Sequence, residues 1–182
     1  MNDKEKIAYS KFMSLILRHK PEKIGITLDK NGWANINELI LGMNRSGYRN
    51  TTLEELKEIA ETNDKRRFKF NENFTKIRAN QGHSVTVDVD MVEAMPPDRL
   101  FHGTATRFIQ SIKNEGLVSK SRLHVHLSDN VETAAKVGGR HGVPFVLTID
   151  SRKMYEDGFK FYLSDNNVWL TASVPAVYIN EI

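Results

Sequence analysis

The chain of 182 residues carries 26 basic and 23 acidic groups, a formal charge of +3, with 40% apolar and 27% charged residues and no cysteine. Without cysteine there is no disulfide framework, no cysteine-ligated zinc, no thiolate nucleophile and no iron–sulfur cluster. The small positive charge excludes a broad basic field, so a nucleic-acid partner would be gripped at a local site.

The opening MNDKEKIAYSKF has no apolar signal core, and no later run reaches the ~20 apolar residues of a membrane span. A cytoplasmic protein without membrane contact is expected. Phe12, Leu15 and Ile16 recur at helical spacing, and Pro21 ends that helix. Asn31-Gly32 signals a tight turn between Ile26-Thr27-Leu28 and Trp33. Asn35 with Glu38, and Thr52 with Glu55, read as capping boxes opening two further helices. Phe68 and Phe70 alternate with polar residues, Asn71-Glu72-Asn73 turns the chain, and Ile77 returns it. Helices followed by a hairpin fit a winged-helix-like lobe or a plain α+β lobe.

Val85, Val87, Val89 and Met91 alternate with polar residues, a strand with one wet face. Pro96-Pro97 then breaks the chain, which predicts lobes over 1–95 and 96–182. Strands are predicted at Leu100–His102, His124–Leu127, Phe145–Ile149, Val168–Thr171 and Val177–Ile179. One helix is predicted over Arg107–Asn114, ending at Gly116. Another starts at Ser128 or Asp129, with Glu132 as capping partner, and ends at Gly138. The fold class is α+β, with a second lobe of mainly β-sheet and short helices.

Chemistry concentrates in histidines and arginines. Of the six histidines, His83, His102 and His141 abut glycines that let backbone come close to a ligand. At 100° per residue His19 falls within the Phe12/Leu15/Ile16 stripe, and Arg18 on its flank. The pair either complements the negative end of the helix dipole or binds a phosphate and moves a proton. His124 and His126 alternate on a strand. No third ligand stands at metal spacing, so they read as packed or capped side chains and no metal is expected. Arg66-Arg67, Arg78, Arg122 and Arg140 supply flat guanidinium forks suited to phosphate oxygens. Arg140, set among glycines after a helix, is the one that surface solvation accounts for least. Common phosphate loops, a nucleophile elbow and a glycosidase-like carboxylate pair are absent from the sequence. Such a site suits a reaction in which phosphate is itself the reactant.

SKFMSLILRHKPEKIGITLDKNGWANINELI, KRRF, IRANQGHS, LFHGTATRFIQSIKNEGL, SRLHVHLSD, VGGRHGVP and VWLTASVP resemble, in order, the motifs of the KptA-type RNA 2′-phosphotransferases that act in tRNA splicing. The resemblance implies a winged-helix-like RNA-binding lobe and an ADP-ribosyltransferase-like lobe that binds NAD. It implies a two-step reaction. The internal 2′-phosphate of an RNA attacks C1″ of NAD⁺ and expels nicotinamide. The ribose 2″-hydroxyl then attacks phosphorus, leaving a 2′-hydroxyl on the RNA and ADP-ribose 1″,2″-cyclic phosphate. The family's catalytic Arg-His-Arg-Arg set falls on Arg18, His19, Arg67 and Arg140. Its NAD contacts fall on His102, Gly103 and Thr104, on His126, Leu127 and Ser128, and on a third position placed at Val168. Absence of glutamate around Asn166-Asn167-Val168-Trp169 argues against polymer synthesis. His83, Ser84, Arg78 and Arg122 are assigned to RNA phosphate, and a monomer is expected. The rival readings are an ADP-ribosyltransferase that caps RNA or DNA end phosphates, a non-catalytic RNA-binding module, and a metal-dependent hydrolase.

Overall fold

The computed structural model describes residues 1–62, 66–87 and 91–180. It divides into two compact units, Met1–Asp90 and Met91–Ile182, both of helices and antiparallel sheet, so the protein is α+β. The division falls shortly before the Pro96-Pro97 break.

In unit 1, helix α1 (Asp3–Arg18) opens on a capping box. Glu5 N–H donates to Asn2 Oδ1, and Asn2 N–H donates back to the Glu5 carboxylate, both at 2.9 Å. Its buried stripe is Tyr9, Met13, Ile16 and Leu17, joined at the last turn by Arg18. Phe12 lies at the edge, stacked on Tyr48 with centroids 3.9 Å apart. The expected face is therefore turned: Arg18 is buried at 9% exposure, and His19 leaves the helix as its C-cap. The cause is local, because φ −130° at His19 departs from the helical progression on which the 100° argument depends. Pro21 prevents continuation and opens a 3₁₀ turn over Pro21–Ile24.

Ile26, Thr27 and Leu28 form no strand. Asp29 closes the turn with its own side chain, its Oδ1 accepting from the N–H groups of Asn31 and Trp33 at 3.0 Å. Gly32 takes φ +78°, as the turn requires. Strand β1 (Trp33–Asn35) then runs into α2 (Ile36–Arg45), where Asn35 Oδ1 accepts from Asn37 and Glu38 N–H without the reciprocal Glu38 bond. Helix α3 (Leu53–Glu61) has the full Thr52/Glu55 box. Strands β2 (Phe68–Phe70) and β3 (Lys76–Ala79) form the expected hairpin, and β1 adds to it in the order β1-β3-β2. Tyr9, Met13, Ile16, Leu39, Met43, Leu56, Phe68 and Ile77 make one core between helices and sheet.

The predicted strand from Val85 is not one in its described part, and Val89 lies outside the described residues. Ser84 and Val85 instead donate their N–H groups to the Arg18 carbonyl at 2.9 and 3.4 Å. This segment is a strap across the end of α1, and its backbone bonds go to a helix terminus instead of a ladder.

Unit 2 begins with β4 (Val92–Glu93) and β5 (Leu100–Ala105), then a 3₁₀ turn leads into α4 (Ile109–Glu115) and β6 (Leu117–Val118). Next come β7 (Val125–Leu127), α5 (Val131–Gly138), β8 (Pro144–Ile149) and α6 (Ser151–Glu156). The chain continues through β9 (Tyr162–Leu163), β10 (Trp169–Thr171), β11 (Ser173–Val174) and β12 (Ile179–Asn180). Two sheets, β12-β8-β5 and β4-β9-β10-β7, pack through Leu100, Leu127, Leu147, Ile149, Phe161 and Trp169, beside a β11-β6 pair.

Several predicted boundaries move: β10 starts at Trp169, leaving Val168 outside the strand predicted for it, because Val168 closes a loop onto Ser164. His124 precedes β7 instead of sharing it with His126, and its ring packs edge-on against Tyr162. Helix α5 starts at Val131 because Asn130, not Ser128 or Asp129, is the N-cap, accepting from Thr133 N–H at 2.9 Å. Val177 sits in a 3₁₀ turn closed by Tyr178 N–H on the Pro175 carbonyl, so only Ile179 of that stretch is strand.

Candidate active site

Unit 1 gathers Arg18, His19, Arg78, His83 and Ser84, and places Arg67 against Ser10 of α1. Arg18 and His19 end α1. His19 Nδ1 and Ser84 Oγ share a hydrogen bond of 2.9 Å. Arg67 stands just before β2, and its Nη1 donates to Ser10 Oγ of α1 at 3.3 Å. Asn80 sets the backbone there. Its N–H donates to the Arg67 carbonyl at 2.9 Å and its Nδ2 to the Arg66 carbonyl at 2.6 Å, bracketing a φ of +40° at Arg66. Sequence reasoning missed both Ser10 and Asn80. The signal for Asn80 was its place right after β3, opposite the arginine pair, in IRANQGHS.

Arg78 is 3% exposed, lies over the Trp33 ring at 4.6 Å, and donates to the Asn31 carbonyl at 3.1 Å. This gives it a packing role in the turn before β1 that the sequence did not suggest. His83 is 2% exposed, and its Nε2 has no hydrogen-bond partner among the described residues. Burial first, and then the charges of Arg18, His19 and Arg78, push its pKa from 6.5 down to about 4. Among the described residues no carboxylate contributes to that shift, and the charges that do are positive, which suits an anion.

The same shift makes stability depend on pH. Above pH 6.5 His83 is neutral in folded and unfolded chains alike. Below 6.5 the unfolded chain takes up a proton that the folded ring refuses until about pH 4. Unit 1 should therefore lose about 3 kcal/mol between pH 7 and pH 4. The check is the urea midpoint read by Trp33 fluorescence in a Trp169→Phe background. His83→Gln should flatten the slope, and an unchanged slope would clear His83 of the effect.

Unit 2 gathers His102, His126, Arg122 and Arg140. Phe101 and Ser128 exchange backbone hydrogen bonds at 2.7 and 2.8 Å, which ties β5 to the end of β7 and brings the two histidines together. His102 Nδ1–H donates to the His126 carbonyl at 3.0 Å, and burial holds its pKa below the usual value. It is thus a neutral ring whose Nε2 is an acceptor. Arg122 Nη1 donates to His126 Nδ1 at 3.2 Å, which fixes the other tautomer, Nε2–H, on a neutral His126. Burial first and the Arg140 charge second lower the Arg122 pKa, so two guanidiniums lie close enough to repel. A pair of this kind is relieved by an anion.

Gly103 and Gly138 let α5 lie directly on β5. A Cβ at Gly103 would stand 1.7 Å from the Ala134 carbonyl oxygen, and one at Gly138 would stand 2.5 Å from that of Thr104. Gly103 and Thr104 thus place Arg140, which follows α5, relative to His102 on β5. Leu127 is 2% exposed and its side chain belongs to the core, so only its backbone borders the site. Val168 is half-buried in a tight loop, its N–H donating to Ser164 Oγ and its carbonyl accepting from the Ser164 N–H and hydroxyl. No bond among those described links it to either histidine. Among the described residues no group of three or more histidines and carboxylates could hold a metal. No helix among them is long and apolar enough to cross a membrane.

Residues 4–173 match the family described as RNA 2′-phosphotransferase, Tpt1 / KptA family, and the chain belongs to it. A protein of Flavobacterium johnsoniae named "Probable RNA 2′-phosphotransferase" is 55% identical over 98% of both chains. Proteins of the same name from Acaryochloris marina and Fusobacterium nucleatum are 52% and 51% identical, covering 99% and 95% of this chain and 99% and 97% of theirs.

Proposed function

We propose that the protein is an NAD⁺-dependent RNA 2′-phosphotransferase that removes an internal 2′-phosphate of the kind tRNA splicing leaves. Unit 1 is read as a winged-helix-like RNA-binding lobe, supported by its helix–strand–helix–helix–hairpin order with β1 added to the hairpin. Unit 2 is read as an ADP-ribosyltransferase-like lobe that binds NAD⁺. The observation that carries the reading is the Arg18–His19 pair, held at the end of α1 beside a buried neutral histidine, in a chain of this family.

The residues of unit 2 fit a dinucleotide. Neutral His102 offers an acceptor to a sugar hydroxyl, His126 offers a donor, and Arg122 with Arg140 matches phosphate charge. When bound, NAD⁺ supplies an electrophilic sugar carbon, a leaving nicotinamide and a neighbouring hydroxyl. The 2′-phosphate is already anionic and needs no base. Arg18 and Arg67 neutralise it and favour the charge that builds on its oxygens at the transition state. In the second step the 2″-hydroxyl gives up its proton to water as it attacks phosphorus, and the RNA 2′-oxygen takes a proton from His19 as it leaves.

Purified protein with NAD⁺ and an RNA bearing an internal 2′-phosphate should yield 2′-hydroxyl RNA and the cyclic phosphate product in the presence of EDTA. Failure to consume NAD⁺ would end this reading. Accumulation of ADP-ribosylated RNA would favour an enzyme that stops after the first step.

A further inference from the structure

We infer that Ser84 is a positioning residue for His19, holding the imidazole by Nδ1 so that Nε2 is the atom that gives and takes the proton. The inference rests on the role proposed above for His19. Ser84 Oγ lies 2.9 Å from His19 Nδ1. Ser84 is exposed, so burial does not force this bond. Its backbone is fixed independently of its hydroxyl, by its own N–H on the Arg18 carbonyl and by buried His83 before it. Val85 N–H reaches the same carbonyl. That carbonyl belongs to the peptide joining Arg18 to His19, so strap and ring share one anchor.

The tautomer of a histidine follows from the hydrogen bond its second nitrogen makes. In protonated His19, Nδ1–H donates to Ser84 Oγ. Nε2–H then passes its proton to the leaving 2′-oxygen, and the ring left behind is the neutral Nδ1–H tautomer with that hydrogen bond in place. Charge on the ring strengthens the bond, so Ser84 favours the acid form. Among the described residues, the charged and titratable groups near the ring include Arg18 and Lys20 on its own segment, His83 on the strap, and Arg78 behind His83. Of these, His83 stays neutral above about pH 4.

Ser84→Ala keeps the backbone strap and removes only the hydroxyl. ¹⁵N NMR of the histidines in the unliganded protein should show the Nδ1–H tautomer at His19. In Ser84→Ala it should show a tautomer mixture and a titration midpoint lower by roughly half a unit to one unit. The second chemical step at pH 7 should slow about ten-fold, its high-pH limb moving down in parallel, with KM for RNA unchanged. Ser84→Thr should restore both readouts. An unaltered tautomer and midpoint in Ser84→Ala would overturn the inference. So would a raised KM with unchanged kcat and pH profile, which would return Ser84 to direct contact with RNA. The NMR readout needs no turnover, so an inactive parent protein would strike the proposed function and leave this test standing.

Discussion

His19→Ala is expected to slow the second chemical step by about 10²–10⁴-fold, and the first step far less. The two steps ask different things of the protein. Attack of an anionic phosphate on a sugar carbon needs orientation and charge neutralisation, which the proposed function asks of Arg18 and Arg67 in unit 1. Expulsion of an RNA 2′-oxygen from phosphorus leaves an alkoxide unless a proton arrives with it. Among the unit 1 residues gathered here, Arg18, Arg67 and Arg78 keep their protons. Burial holds His83 unprotonated near neutrality. That leaves His19, half-exposed at the end of α1 and oriented by Ser84. Single-turnover assays with label in the 2′-phosphate separate the steps, because His19→Ala should accumulate ADP-ribosylated RNA. Equal slowing of both steps would take the proton role away from His19. Arg18→Ala is the contrasting variant. It removes a charge needed from the start, so it should slow both steps and leave no intermediate behind.

The parts of the fold legible in the sequence are those with strong local signals. The β2–β3 hairpin, the Thr52/Glu55 box and the helix ending at Gly116 each rest on a few adjacent residues. Two of the misreadings share a cause: a long-range bond claimed atoms that local pattern had assigned elsewhere. Val85 alternates like a strand residue, yet its N–H goes to the carbonyl of Arg18, far back in the chain. Ser128 looks like a helix cap, yet its backbone pairs with Phe101 and its hydroxyl accepts from Asn130 N–H, leaving Asn130 to cap α5. Strands of two residues such as β6 and β9 are too short for any period to show.

The candidate site divides the same way. Arginines and histidines announce themselves by type, so Arg18, His19, Arg67 and Arg140 could be singled out. Which of them faces inward could not: His19 leaves the helix at a non-helical φ, and Arg18 is buried where the Ser84–Val85 segment crosses the end of α1. Ser10 and Asn80 carry no chemical signal, and their roles exist only once α1 and β3 are folded against the Arg67 segment. Gly103 was read as an opening for a ligand. Its neighbour is the backbone of α5.

That contact gives the largest expected effect on stability. A methyl group at Gly103 would lie 1.7 Å from the Ala134 carbonyl oxygen, 2.5 Å from its carbon and 2.8 Å from Gly138 N, all backbone atoms. No rotamer change relieves such an overlap, so α5 must lift off β5. Overpacking of well-packed sites costs about 1–3 kcal/mol and more where backbone must move. Gly103→Ala should therefore cost unit 2 about 3 kcal/mol or more, read as a lowered midpoint of Trp169 fluorescence in a Trp33→Phe background. Gly138→Ala should act on the same contact from the other side, since its methyl group would meet the Thr104 carbonyl at 2.5 Å. Once the helix has lifted for one substitution, the second finds room. The double variant should thus be more stable than the sum of the single costs predicts, by a coupling on the order of 1 kcal/mol or more. Activity should fall in step, because the helix that moves leads into Arg140 and the strand it leaves carries His102. Two small, additive costs would show that α5 and β5 tolerate a methyl group between them, and that neither glycine is there for the packing.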